Sequence, residues 1–150
     1  MKTRITTLFA ALMLISIVTF ANDGIKPSEQ LQKKFSNEFA QATDVKWEKV
    51  ADYYKASFVE DGQYFVAYFD AFNQVESISR NISTNMLSLI LQKDLRNKVS
   101  ESSWIADCFE LSGKNGTEYY VVVESADQKT IYQADEFAWS VLKELTSKWE

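Results

Sequence analysis

The sequence predicts an α+β fold: two helix-plus-four-strand units (α-β-β-β-β, repeated) forming an antiparallel sheet with helices on one face. Three observations carry this. A helical pattern followed by a run of strand patterns occurs twice, without βαβ alternation. Asp61-Gly62 and Asn115-Gly116, pairs favoured in hairpin turns, stand between strand-like runs. Tyr53-Tyr54 in the first half has a counterpart in Tyr119-Tyr120 of the second, as Asp61-Gly62 has in Asp127-Gln128.

In chain order, Ser28 to Ala40 reads as the first helix, with Pro27 before it and Ser28 as its N-cap. Leu31, Phe35 and Phe39 recur at i+4 and make one apolar face. Thr43-Asp44 breaks that pattern. Strands are expected over Val45–Val50, Tyr53–Val59, Tyr64–Asp70 and Val75–Ile82, joined by turns at Ala51-Asp52, Glu60–Gln63 and Phe72–Gln74. Ser83 or Thr84 then caps a second helix running to about Val99, with Met86, Leu87, Ile90, Leu91, Leu95 and Val99 as its apolar stripe. Strands follow at Trp104–Leu111, Tyr119–Glu124, Lys129–Ala134 and Ala138 to about Glu144, with a turn over Ser112–Gly116. From Glu136 to Trp149 the residues Phe137, Val141, Leu145 and Trp149 lie at helical spacing, but the order of the half-repeat favours a strand there.

A short basic start, Lys2 and Arg4, precedes an apolar run from Ile5 to Phe20, and Thr19 and Ala21 place small residues at the −3 and −1 positions of a cleavage site. This is the three-part pattern of a secretory signal peptide. The apolar run is short for a membrane span of about 20 residues. The expected organisation is a leader at 1–21, a tail at 22–27 and one domain at 28–150 built from half-repeats 28–82 and 83–150. Loss of Lys2 and Arg4 lowers the net charge of −5 by two, to −7. An acidic exported chain without a basic stripe is a poor nucleic-acid binder, because phosphate contacts need clustered Lys and Arg.

With no histidine, the chain has no Ser-His-Asp triad, Cys-His pair or histidine-bound metal. With one cysteine, Cys108, it has no internal disulfide, CxxC motif or Cys₄ zinc site. Cys108 lies within a strand pattern and reads as a buried free thiol, or as the link of a disulfide dimer in an oxidising compartment. The carboxylates near the turns do not make a calcium loop. No glycine-rich phosphate cradle is present. No catalytic, metal or cofactor residues are assigned, and no cofactor is expected.

A family resemblance joins these readings. The stretch from Phe35 to Trp47, Phe-x-x-x-Phe-Ala followed by Val-Lys-Trp-Glu, resembles the PepSY-like, β-lactamase-inhibitor-like family of exported bacterial proteins. So do Tyr-Tyr-Lys-Ala-Ser-Phe at 53–58 with Asp61-Gly62, and Ala67-Tyr68-Phe69-Asp70. The resemblance covers about residues 28–144. The second half departs from it at Gln128, where glycine would be expected, and lacks the Lys-Ala alternation in 119–124. The resemblance implies two helix-plus-four-strand units, a periplasmic or secreted product of Bacteroidota-type bacteria, and no catalytic residues. It also implies a concave sheet of the kind with which the inhibitor that names the family grips its enzyme.

A sheet with helices on one side leaves its other face to solvent or a partner. Alternation puts Tyr54, Ala56 and Phe58 on one face and Tyr53, Lys55 and Ser57 on the other. It likewise sets Phe65, Ala67 and Phe69 against Tyr64, Val66 and Tyr68. The hydroxyl-bearing sets are expected on the open face. Tyrosine suits interfaces, though the same residues also serve as cross-strand pairs that only stabilise a sheet. Tyr120 is ambiguous. Glu124 argues that it faces outward, while the repeat maps it onto Tyr54. Trp47 and Trp104 begin equivalent strands, as core plugs or rim anchors. The partner-binding candidates are thus Tyr53, Lys55, Tyr64, Tyr68, Trp104 and Tyr120. The expected function is an exported, non-catalytic binding module, inhibitory in one form, that engages an envelope or extracellular protein or peptide. A small-ligand carrier and a structural homodimer are the alternatives.

Overall fold

The computed structural model describes residues 25–135 and 137–146. The expected leader at 1–21, Glu136 and Trp149 lie outside them. The described chain is mostly sheet, with eight strands and two α-helices that fall into two units. The first unit holds residues up to Asn81 together with Leu111–Thr117. The second holds Ile82–Glu110 and the residues from Glu118 onward.

In the first unit, α1 (Glu29–Glu38) starts where Ser28 Oγ accepts the Leu31 N–H at 3.3 Å, one of the free amides of a first turn. Four strands follow: β1 (Thr43–Val50), β2 (Tyr53–Glu60), β3 (Gln63–Phe69) and β4 (Val75–Asn81). Consecutive strands pair antiparallel. The β2–β3 hairpin closes through Asp61 and Gly62, at φ 51° and 75°. Two successive left-handed residues match the twist of a tight hairpin, and glycine takes that conformation without steric cost. β1 starts two residues before the expected strand. A bulge between Thr43 and Lys46, with Asp44 at φ 54°, takes up the irregularity. At the β3–β4 turn the Asp70 carboxylate accepts the Phe72 and Gln74 N–H groups at 2.9 and 2.8 Å.

The core of this unit is aromatic. Leu31, Phe35 and Phe39 of the helix side meet Ala56 and Phe58 of β2 and Ala67 and Phe69 of β3. Alanines at 56 and 67 stand opposite each other in register and make room for the rings. Phe35 packs against Phe39, Trp47, Phe58 and Phe69, with ring centroids 5.1, 5.2, 5.1 and 6.3 Å away. Trp47 therefore belongs to the helix side of the sheet.

The second unit begins with a 3₁₀ turn at Thr84–Met86, then α2 (Leu89–Lys98). The helix expected from Ser83 or Thr84 does not run continuously. Leu87 is extended, and Ser88 caps α2 by accepting the Leu91 N–H at 3.3 Å. Serine side chains compete for nearby amides and favour caps over helix interiors, so the later serine wins. Met86 and Ile90, expected on the apolar stripe, are exposed, while Leu87, Leu91 and Leu95 are buried.

Strands β5 (Ser103–Gly113), β6 (Gly116–Ser125), β7 (Gln128–Ala134) and β8 (Trp139–Thr146) follow in chain order. β5 and β6 run further than expected, so the turn shrinks to Lys114-Asn115. Residues 139–146 form a strand paired with β7, despite the helical spacing of Phe137, Val141 and Leu145. A bulge between Ile131 and Tyr132 shifts the register of that pair. The core gathers Leu87, Leu91 and Leu95 with Cys108, Val121, Val123 and Trp139. Trp139 Nε1 donates to the Leu91 carbonyl at 3.0 Å, and Asp94 accepts the Trp139 backbone N–H at 2.8 Å. Cys108 is a buried free thiol, pushed up to about 12 by burial and by nearby Asp107. It is held as an unreactive thiol rather than a thiolate.

Candidate functional site

The face of β1–β4 turned away from α1 is built from the residues that alternate with the core positions. Register makes two rows across it. One runs Glu48, Lys55, Tyr68, Ser77, and the other Lys46, Ser57, Val66, Ser79. Val59 and Tyr64 form a further pair beside them. The face is polar, with two lysines, a glutamate, tyrosines and three serines, whereas the α1 side carries rings and alanines.

Its depth differs from the expectation. Lys55 and Tyr68, expected to be open to solvent, are 8% and 2% exposed. Ser57, Ser77 and Ser79 are buried too. Alternation assigns a face but not a depth: on a central strand each side chain is screened by cross-strand neighbours on both sides. Lys55 lies between Glu48 and Tyr68, and Tyr68 between Lys55 and Ser77. The β5–β6 hairpin tip adds cover near Ser77. A Cβ on Gly113 would stand 3.1 Å from the Glu76 carbonyl oxygen, a tight contact, and 3.5 Å from Ser77 Cβ, so a larger residue there would push the two strands a few tenths of an ångström apart. Lys114 Nζ pairs with Glu76 at 2.7 Å beside it.

The electrostatics follow from this burial. Lys55 Nζ donates to Glu48 Oε2 at 2.7 Å, and the Glu48 side chain reaches into solvent. Burial, with Tyr64 and Glu48 nearby, pushes the Tyr68 phenol well above its ordinary value, so it stays protonated. This face offers hydrogen bonds and a compensated charge pair. Tyr53 is half-buried, whereas Tyr64 is 49% exposed. Of the tyrosines proposed for this face, Tyr64 presents the most ring to solvent.

Tyr120 and Trp104 belong to the second unit and are described there separately. Val121 and Val123 point to α2, so Tyr120 lies on the opposite face. It is nonetheless 0% exposed, which corrects its expected open position. Phe109 stacks on it with centroids 5.2 Å apart. Its hydroxyl donates to Glu118 Oε2 at 2.5 Å and accepts from Gln133 Nε2 at 3.2 Å. Burial and Glu118 raise its phenol far above the usual value. Trp104 is 51% exposed and is not a core plug. The buried serines and the Phe109–Tyr120 stack were not anticipated. The Ser77-Ile78-Ser79 alternation is the sequence signal for a small, polar sheet face.

Among the described residues no group of three His, Cys, Asp or Glu side chains could hold a metal ion. No described helix is long and apolar enough to cross a membrane.

Fold and face together define an antiparallel-sheet protein whose first unit is covered by a helix on one side of its strands and is polar on the other. The same fold occurs in a BLIP-like protein from Bacteroides fragilis, at 23% identity and a TM-score of 0.63, covering 83% of this chain and 89% of that one. A DUF2874 family protein from Bacteroides ovatus matches at 16% identity and a TM-score of 0.68, over 82% and 89% of the two chains. A candidate periplasmic protein from Bacteroides eggerthii matches at 14% identity and a TM-score of 0.69, over 82% and 90%. At these identities the likeness is one of fold. No family model and no curated protein matches the sequence.

Proposed function

We propose that this chain is an exported, non-catalytic binding module of PepSY-like, β-lactamase-inhibitor-like type, which grips an envelope or extracellular protein or peptide through the helix-free face of its first unit. The observation that carries the reading is the exposed Tyr64 ring beside a buried polar floor. The aromatic core on the α1 side fills the fold without that floor, and the Lys55–Glu48 pair, whose glutamate reaches into solvent, adds little net stability. A half-exposed tyrosine next to fixed donors and acceptors is the arrangement that binding surfaces use. Export is supported by the leader pattern and by the likeness to a candidate periplasmic protein. Inhibition of a bound enzyme is the form suggested by the BLIP-like fold. The order helix, four strands, helix, four strands supports a duplicated unit.

The test is affinity capture from an envelope extract with the wild-type protein and Tyr64→Ala as parallel baits. Tyr68 stays unchanged, because truncating a buried ring would damage the fold. Tyr64→Ala is expected to keep its melting temperature within about 3 °C, as an exposed substitution should. It should lose the partner by tenfold or more, about 1.4 kcal/mol. A partner retained equally by both baits contradicts the reading.

A further inference from the structure

An open groove of about 450 Å³ lies along α2 in the second unit, lined by Thr84, Gln92, Leu95, Arg96, Val99 and Ile105. Small-molecule sites have volumes of this order. Gln92, Leu95, Arg96 and Val99 fall at i, i+3, i+4 and i+7, so one stripe of the helix makes one wall. Leu95 is buried, Val99 half-buried, and Ile105 at the start of β5 leaves apolar surface in solvent. Gln92 is pinned, because its Nε2 donates to the Leu87 and Asn85 carbonyls at 2.8 and 3.4 Å.

Arg96 is exposed and, among the described residues, has no ion pair or hydrogen bond from its guanidinium. The helix carries Lys93, Arg96 and Lys98 against one carboxylate, Asp94, which is engaged by the Trp139 N–H. In a chain of net charge −5, Arg96 thus presents a cation beside the apolar wall of the groove. A guanidinium fork matches a carboxylate in shape as well as charge.

We propose that this groove binds an amphipathic monoanion, a medium-chain fatty acid, with its carboxylate on Arg96 and its chain along Leu95, Val99 and Ile105. This site is separate from the sheet face of the first unit and stands or falls independently of it.

The test is a titration of the ¹⁵N-labelled protein with sodium decanoate below its micelle concentration, followed by ¹⁵N–¹H spectra. Acetate and decanol serve as tail-less and head-neutral comparisons. Decanoate is expected to give saturable shifts confined to the amides of residues 84, 92–99 and 105, with a Kd below about 1 mM for a ligand of this size. Acetate and decanol should bind at least about tenfold more weakly, and Arg96→Gln should weaken decanoate about tenfold. Tyr64→Ala should leave decanoate binding unchanged. Shifts spread over the whole chain, decanol binding as well as decanoate, or an Arg96→Gln protein that binds normally would each overturn the proposal. The first two are read on the wild-type protein, so the test does not depend on the variant folding.

Discussion

Phe35→Ala is expected to destabilise the protein by about 3–5 kcal/mol, the range for emptying a buried phenylalanine site. Phe35 is the hub of the first unit's core. It is buried, and its ring meets those of Phe39, Trp47, Phe58 and Phe69. Aromatic pairs add about 0.5–1.5 kcal/mol beyond area burial, so losing one ring removes several such terms at once. The surrounding rings are stiff and come from α1, β1, β2 and β3, which limits how far the site can collapse to refill the void. Urea denaturation followed by near-ultraviolet circular dichroism measures the loss. A loss below about 1 kcal/mol would show that α1 is not locked onto the strands through this residue.

The second large effect is with pH. Stability is expected to fall as the pH rises above about 9. Cys108 ionises near 9 in the unfolded chain but is held up to about 12 in the fold. Tyr68 and Tyr120 are raised above their ordinary value of 10. In each case burial disfavours the charged form, so the unfolded state releases its proton first. The stabilisation is therefore whole below the unfolded value and is lost as the pH climbs toward the folded value. A full unit of this gap is worth about 1.4 kcal/mol per group. Between pH 9 and 11 the thiol should cost about 2 kcal/mol and each phenol about 1 kcal/mol. Urea melts at pH 8, 9, 10 and 11 should show the decline, and Cys108→Val should flatten its first part. A stability independent of pH up to 11 would mean that the three groups are not buried as described.

The parts of this fold that were legible in the sequence are those governed by local rules. Ser28 caps α1 because its hydroxyl reaches Leu31, and the i+4 phenylalanines lie on one side of that helix. Asp61-Gly62 closes a hairpin because both residues take positive φ. Alternation placed Ala56, Phe58, Ala67 and Phe69 against the helix. Where several local signals competed, the sequence was less decisive. Ser83, Thr84 and Ser88 are all capable caps, and an apolar Met86-Leu87 disguised the break between the 3₁₀ turn and α2.

Depth was not legible at all. Nothing in the period of two says that Lys55, Tyr68 and Tyr120 are screened while Tyr64 is not. That depends on which side chains stand beside them across the sheet, and on the approach of a distant hairpin through Gly113. The α2 groove escaped notice for a similar reason. Its Gln92, Leu95, Arg96 and Val99 share a helical stripe, but Thr84 and Ile105 come from elements on either side of that helix.

The central claim is that the helix-free face of the first unit is where the partner sits. The most direct measurement is site-specific photocrosslinking, with a benzophenone amino acid placed at Tyr64 and, in a second protein, at Asn37 on the exposed side of α1. Both proteins would be illuminated in the same envelope extract. The account predicts one discrete adduct from position 64 and none from position 37. An adduct from position 37 alone, or the same adduct from both, would contradict it.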